Sequence, residues 1–138
     1  MIYITRKEHF NAAHKLYNPA WSDEQNNEVF CKCANPNWHG HNYYLYVTVK
    51  GEISQDTGYS ANLKEISLVI RKYITDKLDH RNLNLDVDFM KDIMPSTENV
   101  TIAIWNQLAP HIKAMGNCSL HCIKLCETDN NYVEYFGE

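Results

Sequence analysis

The sequence predicts an α+β fold: a four-stranded antiparallel sheet with two helices on one face, in the order β-β-α-α-β-β. Three observations carry this. Apolar residues alternate at period two near both ends of the chain. Two central segments repeat them at helical spacing. Turn-forming residues separate the segments. A chain of 138 residues reads as a single domain over 1–138.

Residues 2–14 form the first strand, with Phe10, Ala12 and His14 on one face. Residues 15–37 read as a long polar connection, and one of that length is usually functional. The run Tyr43-Tyr-Leu-Tyr-Val-Thr-Val49 is aromatic and β-branched, so residues 43–53 complete a second strand, antiparallel to the first. Gln55-Asp-Thr-Gly58 is a turn. Asn62 opens a helix, with Glu65 in a capping-box position, and Leu63, Ile66, Val69, Ile70, Tyr73 and Ile74 recur along it to about Leu78. Residues 82–95 read as irregular. A second helix starts at Ser96 or Thr97 and carries Val100, Ala103, Ile104 and Leu108 inward; Pro110 should interrupt it. Leu120–Glu127 and Tyr132–Phe136 give the third and fourth strands. Ile123, Leu125 and Glu127 share one face, and Cys118, Cys122 and Cys126 the other. Both sheet edges are open, which invites pairing between subunits.

Composition narrows the function. The chain is 44% hydrophobic and 22% charged, with net charge −4. That balance is globular, and the acidic excess argues against nucleic-acid binding. No run is long enough to span a membrane. The first residues lack the apolar core of a signal peptide, so the five cysteines read as reduced thiols in a cytoplasmic protein.

The chemistry gathers around Cys33-Ala-Asn-Pro-Asn-Trp-His39-Gly-His41. Two histidines one residue apart on a strand point to the same face. His14 can join them if the first two strands are neighbours. Three imidazoles with one open position suit catalytic zinc. The competing site, Cys31, Cys33, His39 and His41, has a tight Cys-x-Cys gap and leaves His14 idle. A lone buried histidine is more often a core residue bonded to a carbonyl. Asp79-His80 after a helix is either an oriented acid–base pair or a surface pair. Glu127 is either solvated at a strand end or an anchor for ligand donors. Cys33 beside a metal is either a thiol of lowered pKa or an inert loop thiol.

Taken together, Phe10-Asn-Ala-Ala-His14, Cys33-x5-His39-Gly-His41-Asn-Tyr43, Gly51-Glu52 with Thr57-Gly58, Leu78-Asp79-His80-Arg-Asn-Leu83, Ser96-Thr97-Glu98-Asn99-Val100 and Glu127-Thr-Asp-Asn-Asn131 resemble the 6-pyruvoyltetrahydropterin synthase family along nearly the whole chain. The resemblance implies a tunnelling fold: three subunits join sheets edge to edge into a barrel, and two trimers stack into a homohexamer with active sites between subunits. It implies conversion of 7,8-dihydroneopterin triphosphate to 6-pyruvoyltetrahydropterin with loss of triphosphate. By position, His14, His39 and His41 bind zinc, Cys33 abstracts side-chain protons, and Asp79 and His80 relay them. Glu127 holds the pterin ring, and Thr97 and Glu98 line the pocket. Lys15, Lys32, Lys50, Lys64 and Arg81 are the candidates for the triphosphate. The related 6-carboxytetrahydropterin synthases place their cysteine nearer the histidine pair. That activity, dihydroneopterin side-chain cleavage, and a non-catalytic zinc- or pterin-binding module are the alternatives. Two residues depart from the family pattern: Trp38, where glycine is common, and Cys31, often glycine.

Overall fold

A computed structural model describes residues 1–138. Strands β1 (Ile2–His14) and β2 (His39–Gly51) pair antiparallel along their full length, from Ile2 opposite Gly51 to His14 opposite His39. The alternation of the sequence sets which face is covered: Phe10, Tyr43, Leu45 and Val47 are fully buried, while Lys7, Tyr44 and Lys50 point the other way.

The sheet has five strands and is mixed, in the order β3-β1-β2-β4-β5, rather than four antiparallel strands. The extra strand, β3 (Arg81–Asn82), runs parallel to β1 beside Ala12 and Ala13. Two residues carry no readable alternation. They form a strand because the end of β1 offers unpaired backbone groups: His80 N–H donates to Asn11 O at 2.7 Å and Leu83 N–H to Ala13 O at 2.8 Å. Strands β4 (Ser119–Cys126) and β5 (Tyr132–Tyr135) complete the other side, both antiparallel. Val49 faces Leu120 whereas Thr48 faces Cys122, so His121 is a bulge. The bulge turns Leu120 to the core beside Ile123 and Leu125, and Cys118 packs there too. The three cysteines therefore do not share a face as the unbroken alternation suggested.

Three helices accompany the sheet. The first, α1 (Asp23–Phe30), lies within the stretch expected to be a loop. It has no clear apolar stripe, so periodicity misses it. Local polar contacts hold it: Ser22 Oγ accepts from Gln25 N–H at 3.1 Å. The buried Asn26 accepts from Asn18 N–H at 2.7 Å and donates to Asn18 O at 2.9 Å. The second, α2 (Leu63–Ile70), is capped by Asn62, whose Oδ1 accepts from Lys64 N–H at 3.0 Å. It continues through a π-helical turn (Arg71–Thr75) and a last turn (Asp76–Leu78). The third, α3 (Thr97–Ala114), is capped by Ser96 and runs unbroken through Pro110. Pro110 and Asn106 are both exposed. The carbonyl that loses its helical donor thus meets water, and the expected interruption does not occur.

The covered sheet face and the inner sides of α2 and α3 enclose one apolar core. Each fully buried Leu or Ile there contributes about 1.5–3 kcal/mol. No helix is long and apolar enough to cross a membrane. Beyond the β3 contact, β1 has no strand neighbour on its outer side, and the opposite edge strand, β5, has four residues.

The end of the chain is pinned on α3. Gly137 has φ +83, and a Cβ there would stand 2.2 Å from Trp105 Cζ2. Tyr135 packs edge-on to the same indole at 5.4 Å. Gly137→Ala should therefore destabilise the protein by about 1–2 kcal/mol through strain and overlap, read from urea unfolding. An unchanged midpoint would show that the tail leaves Trp105 at no cost.

Candidate active site

The three histidines stand at one end of the β1–β2 ladder. His14 lies opposite His39, and His41 lies opposite Ala12. All three turn to the helix-covered side, and their ligand atoms lie within 4.8 Å of one another. His14 Nδ1–H donates to the carbonyl of Pro95 at 2.8 Å, which leaves its Nε2 bare. His14 Nε2, His39 Nδ1 and His41 Nε2 are all buried and without a hydrogen-bond partner. Burial is the main cause lowering the pKa of each ring, so each is neutral and keeps its lone pair. Three orphaned acceptors facing one point fit a divalent cation, and each left unpaired costs about 1–3 kcal/mol. The alternative Cys2His2 set does not gather: neither Cys31 nor Cys33 joins the cluster, and Cys31 is exposed.

Below the rings, Tyr43 is fully buried with its phenol oxygen 3.4 Å from His14 Nδ1. Burial, then the charge of Glu127, pushes its pKa far up, so the phenol stays protonated. Tyr43 continues the period-two series of His39 and His41, so its direction was readable in the sequence. The Pro95 carbonyl, 81 residues away from His14, left no such signal.

Glu127 follows β4. Thr97 Oγ1 donates to its Oε2 at 2.5 Å, and its two oxygens lie 3.8 Å from His14 Nε2 and His41 Nε2. His14, Cys33, Ser96, Thr97, Glu98 and Glu127 line one cavity of about 350 Å³. Cys33 sits on the 3₁₀ turn Cys31–Ala34, tied down by Leu16 N–H donating to its carbonyl at 2.8 Å. Burial first, then the charges of Glu127 and Cys31, raises its thiol pKa. That is the reverse of the lowered value expected beside a metal, because burial and the two anionic neighbours all disfavour the thiolate and no protein cation offsets them.

Asp79 and His80 sit beside the end of β1, and His80 lines a different cavity from Cys33. Asn11 N–H donates to Asp79 Oδ1 at 2.8 Å, the main cause lowering the carboxyl pKa. His80 Nδ1 lies 3.0 Å from Asp79 Oδ2, an ion-pair contact when the ring is protonated, with Nε2 left as the other ring nitrogen. The His80 side chain is 78% exposed and has φ +59. It opens on a larger cavity of about 600 Å³ with Asn11, Gly40, Arg81 and Asp86. The two cavities share no lining residue: Cys33 lines the one with His14 and Glu127, and His80 the other with His41. Of the phosphate candidates, Arg81 lines the His80 cavity, and Lys15, Lys32, Lys50 and Lys64 line neither.

The histidine cluster sets a pH dependence. The folded pKa values lie below the ordinary 6.5. Between the folded and unfolded values the unfolded chain binds more protons, so stability is present above pH 6.5 and is lost as the pH falls through the folded values. The melting temperature of the metal-free protein should decline below pH 6.5, and His14→Gln should flatten that decline. An equally steep decline in the variant would remove His14 as its source.

The family described as 6-pyruvoyl tetrahydropterin synthase matches residues 3–138. A 6-pyruvoyl tetrahydrobiopterin synthase of Pongo abelii is 44% identical over 135 residues, covering 98% of this chain and 91% of the relative. That of Dictyostelium discoideum is 42% identical over 137 residues, covering 99% and 97%. The solved 6-pyruvoyl tetrahydropterin synthase of Caenorhabditis elegans superposes with a TM-score of 0.91 at 34% identity, covering 99% of this chain and 96% of that one. The chain belongs to the 6-pyruvoyl tetrahydropterin synthase family.

Proposed function

We propose that this protein is a zinc-dependent 6-pyruvoyltetrahydropterin synthase. It converts 7,8-dihydroneopterin triphosphate to 6-pyruvoyltetrahydropterin and releases triphosphate, in tetrahydrobiopterin synthesis. The observation that carries this is the convergence of three bare imidazole nitrogens, one of which, on His14, shares a cavity with the Cys33 thiol and the Glu127 carboxylate. The reaction is an internal redox change: the side chain gives up hydrogen that the dihydropterin ring gains. No external oxidant is needed, and the protein has only to move protons.

His14, His39 and His41 would hold the metal. Three neutral imidazoles and an open position favour zinc, which supplies Lewis-acid polarisation of the substrate side chain and so acidifies its C–H bonds. Glu127 accepts hydrogen bonds from the amino-pyrimidine edge of the pterin, and Thr97 fixes the direction of that carboxylate. Glu98 stands exposed at the cavity mouth. Cys33 as thiolate takes a proton from the side chain. His80 then carries protons on its free Nε2, while Asp79 holds the opposite nitrogen and stabilises the charged ring.

This division of labour requires a neighbouring subunit to bring His80 to Cys33. The unpaired length of β1 and the short edge strand β5 support sheets that continue from one copy to the next into a barrel, with the homohexamer as a dimer of trimers. Residues 1–138 act as one pterin synthase domain. The net charge of −4 fits a partner list of a small pterin triphosphate and further copies of the chain, without nucleic acid or membrane. Five unpaired thiols suit the reducing cytoplasm.

The test is anaerobic incubation of zinc-loaded protein with dihydroneopterin triphosphate, with both products identified. Triphosphate and a 6-pyruvoyl pterin are expected; a 6-carboxy product or a pterin aldehyde would overturn the assignment. In the same assay Cys33→Ala should keep its zinc and lose roughly 10²–10⁴-fold in kcat. Full turnover in that variant would refute the thiol as base. Sharing of sites predicts complementation. Cys33→Ala and His80→Ala, each inactive, should regain roughly a quarter of parental activity when unfolded and refolded together as mixed oligomers. No recovery in confirmed mixed oligomers would place both groups in one chain's site.

A further inference from the structure

The chain leaves the sheet after His14 and returns to it before His39, and the excursion between them carries Cys33. Its two ends, Lys15 and Trp38, follow directly on the His14–His39 pair. There the Lys15 ammonium lies 4.9 Å from the Trp38 ring centroid and 5.0 Å from that of Tyr17. A cation over an aromatic face is attracted by the ring quadrupole. The Lys15 backbone is fixed as well: its N–H donates to Asn84 Oδ1 at 3.0 Å, and its carbonyl accepts from Asn84 Nδ2 at 3.0 Å.

Trp38 has φ +68, a left-handed conformation that strains any side chain and that glycine adopts freely. The indole is held there against its local preference, and it meets the Lys15 cation. Within the excursion, Trp38 N–H donates to Asn35 O at 3.1 Å and Asn35 N–H to Lys32 O at 3.2 Å, which links the indole to the thiol turn. Leu16, next to Lys15, donates to the Cys33 carbonyl at 2.8 Å. Both ends of the clamp thus lead by short hydrogen-bonded steps to the residue that carries the thiol.

We propose that Lys15 and Trp38 are positioning residues for Cys33. Their contact closes the base of the excursion and fixes where the thiol stands beside the metal-site histidines. The effect on turnover rests on the reading of Cys33 as the base; the effect on the loop does not. Lys15 is also one of the phosphate candidates; here its ammonium faces the Trp38 and Tyr17 rings.

The test uses the zinc-loaded full chain with Lys15→Met and Trp38→Gly, and with Lys15→Arg and Trp38→Phe as conservative partners. Iodoacetamide is the probe, and the Cys33 peptide is followed by mass spectrometry. Loosening the excursion should speed Cys33 labelling by about threefold or more in Lys15→Met and Trp38→Gly. It should lower kcat by about tenfold with KM within about twofold. The double variant should be no worse than the poorer single one, and Arg and Phe should restore both readouts. Labelling at the parental rate in both disruptive variants overturns the proposal. That result is what an indole with only a structural role predicts, since glycine also relieves the backbone strain. Loss of zinc in both would overturn it in favour of a role in holding His39. Faster labelling together with full activity of Cys33→Ala would support the clamp and reject the thiol as base.

Discussion

The register of β1 on β2 is the constraint on which the candidate site depends. The two strands pair over thirteen residues each, and the last rung joins His14 to His39. Strand parity sets the face of every side chain, so a slip of one residue would turn either His14 or the His39–His41 pair to the opposite face. The same slip would expose Phe10 or Tyr43, both fully buried. Apolar burial along the middle of the ladder thus fixes the alignment of imidazoles at its end. The strongly bound part of the fold holds the site, although the site adds nothing to that binding while its nitrogens are unpaired.

The ends of strands also explain why the site takes residues from distant parts of the chain. A ladder that stops leaves backbone groups free and side chains uncovered on one side. Pro95 and Thr97, at the start of α3, fill that side: one accepts from His14, the other bonds Glu127. On the outer edge, the chain leaving α2 bonds to Asn11 through both the His80 backbone and the Asp79 carboxylate. The strained backbone of His80 follows from this docking, which presents its ring outward. One strand end therefore carries a metal-type cluster inside and an oriented acid–base pair outside.

Much of this could be read from the sequence, and the rest could not for identifiable reasons. Strand β1 matched its predicted span, and α2 ended at Leu78, because both patterns are strong and locally consistent. His39 and His41 sharing a face followed from parity alone. Helix α1 was missed because polar caps and the Asn26 amide hold it, not an apolar stripe. Strand β3 was missed because two residues have no period, and the His121 bulge because one inserted residue leaves no mark in an alternation. Pro110 misled because its effect depends on whether the freed carbonyl meets solvent. That His80 and Cys33 line different cavities is a matter of three dimensions that no spacing encodes.

The electrostatics of the cavity point to what it was built around. Burial keeps the three imidazoles neutral, with lone pairs facing inward. Glu127 adds a carboxylate 3.8 Å from two of them. Cys33 is held back from ionising by burial and by that same carboxylate. Without a cation each group is worse off for having the others near: lone pairs oppose a carboxylate, and the carboxylate opposes a thiolate. A single divalent charge at the histidines reverses all of these terms together. It satisfies the orphaned nitrogens, draws the carboxylate into a favourable field, and lowers the cost of a thiolate. A cluster of groups that are individually destabilising, and jointly stabilised by one ion, is the arrangement expected where the metal is part of the design rather than an addition to it.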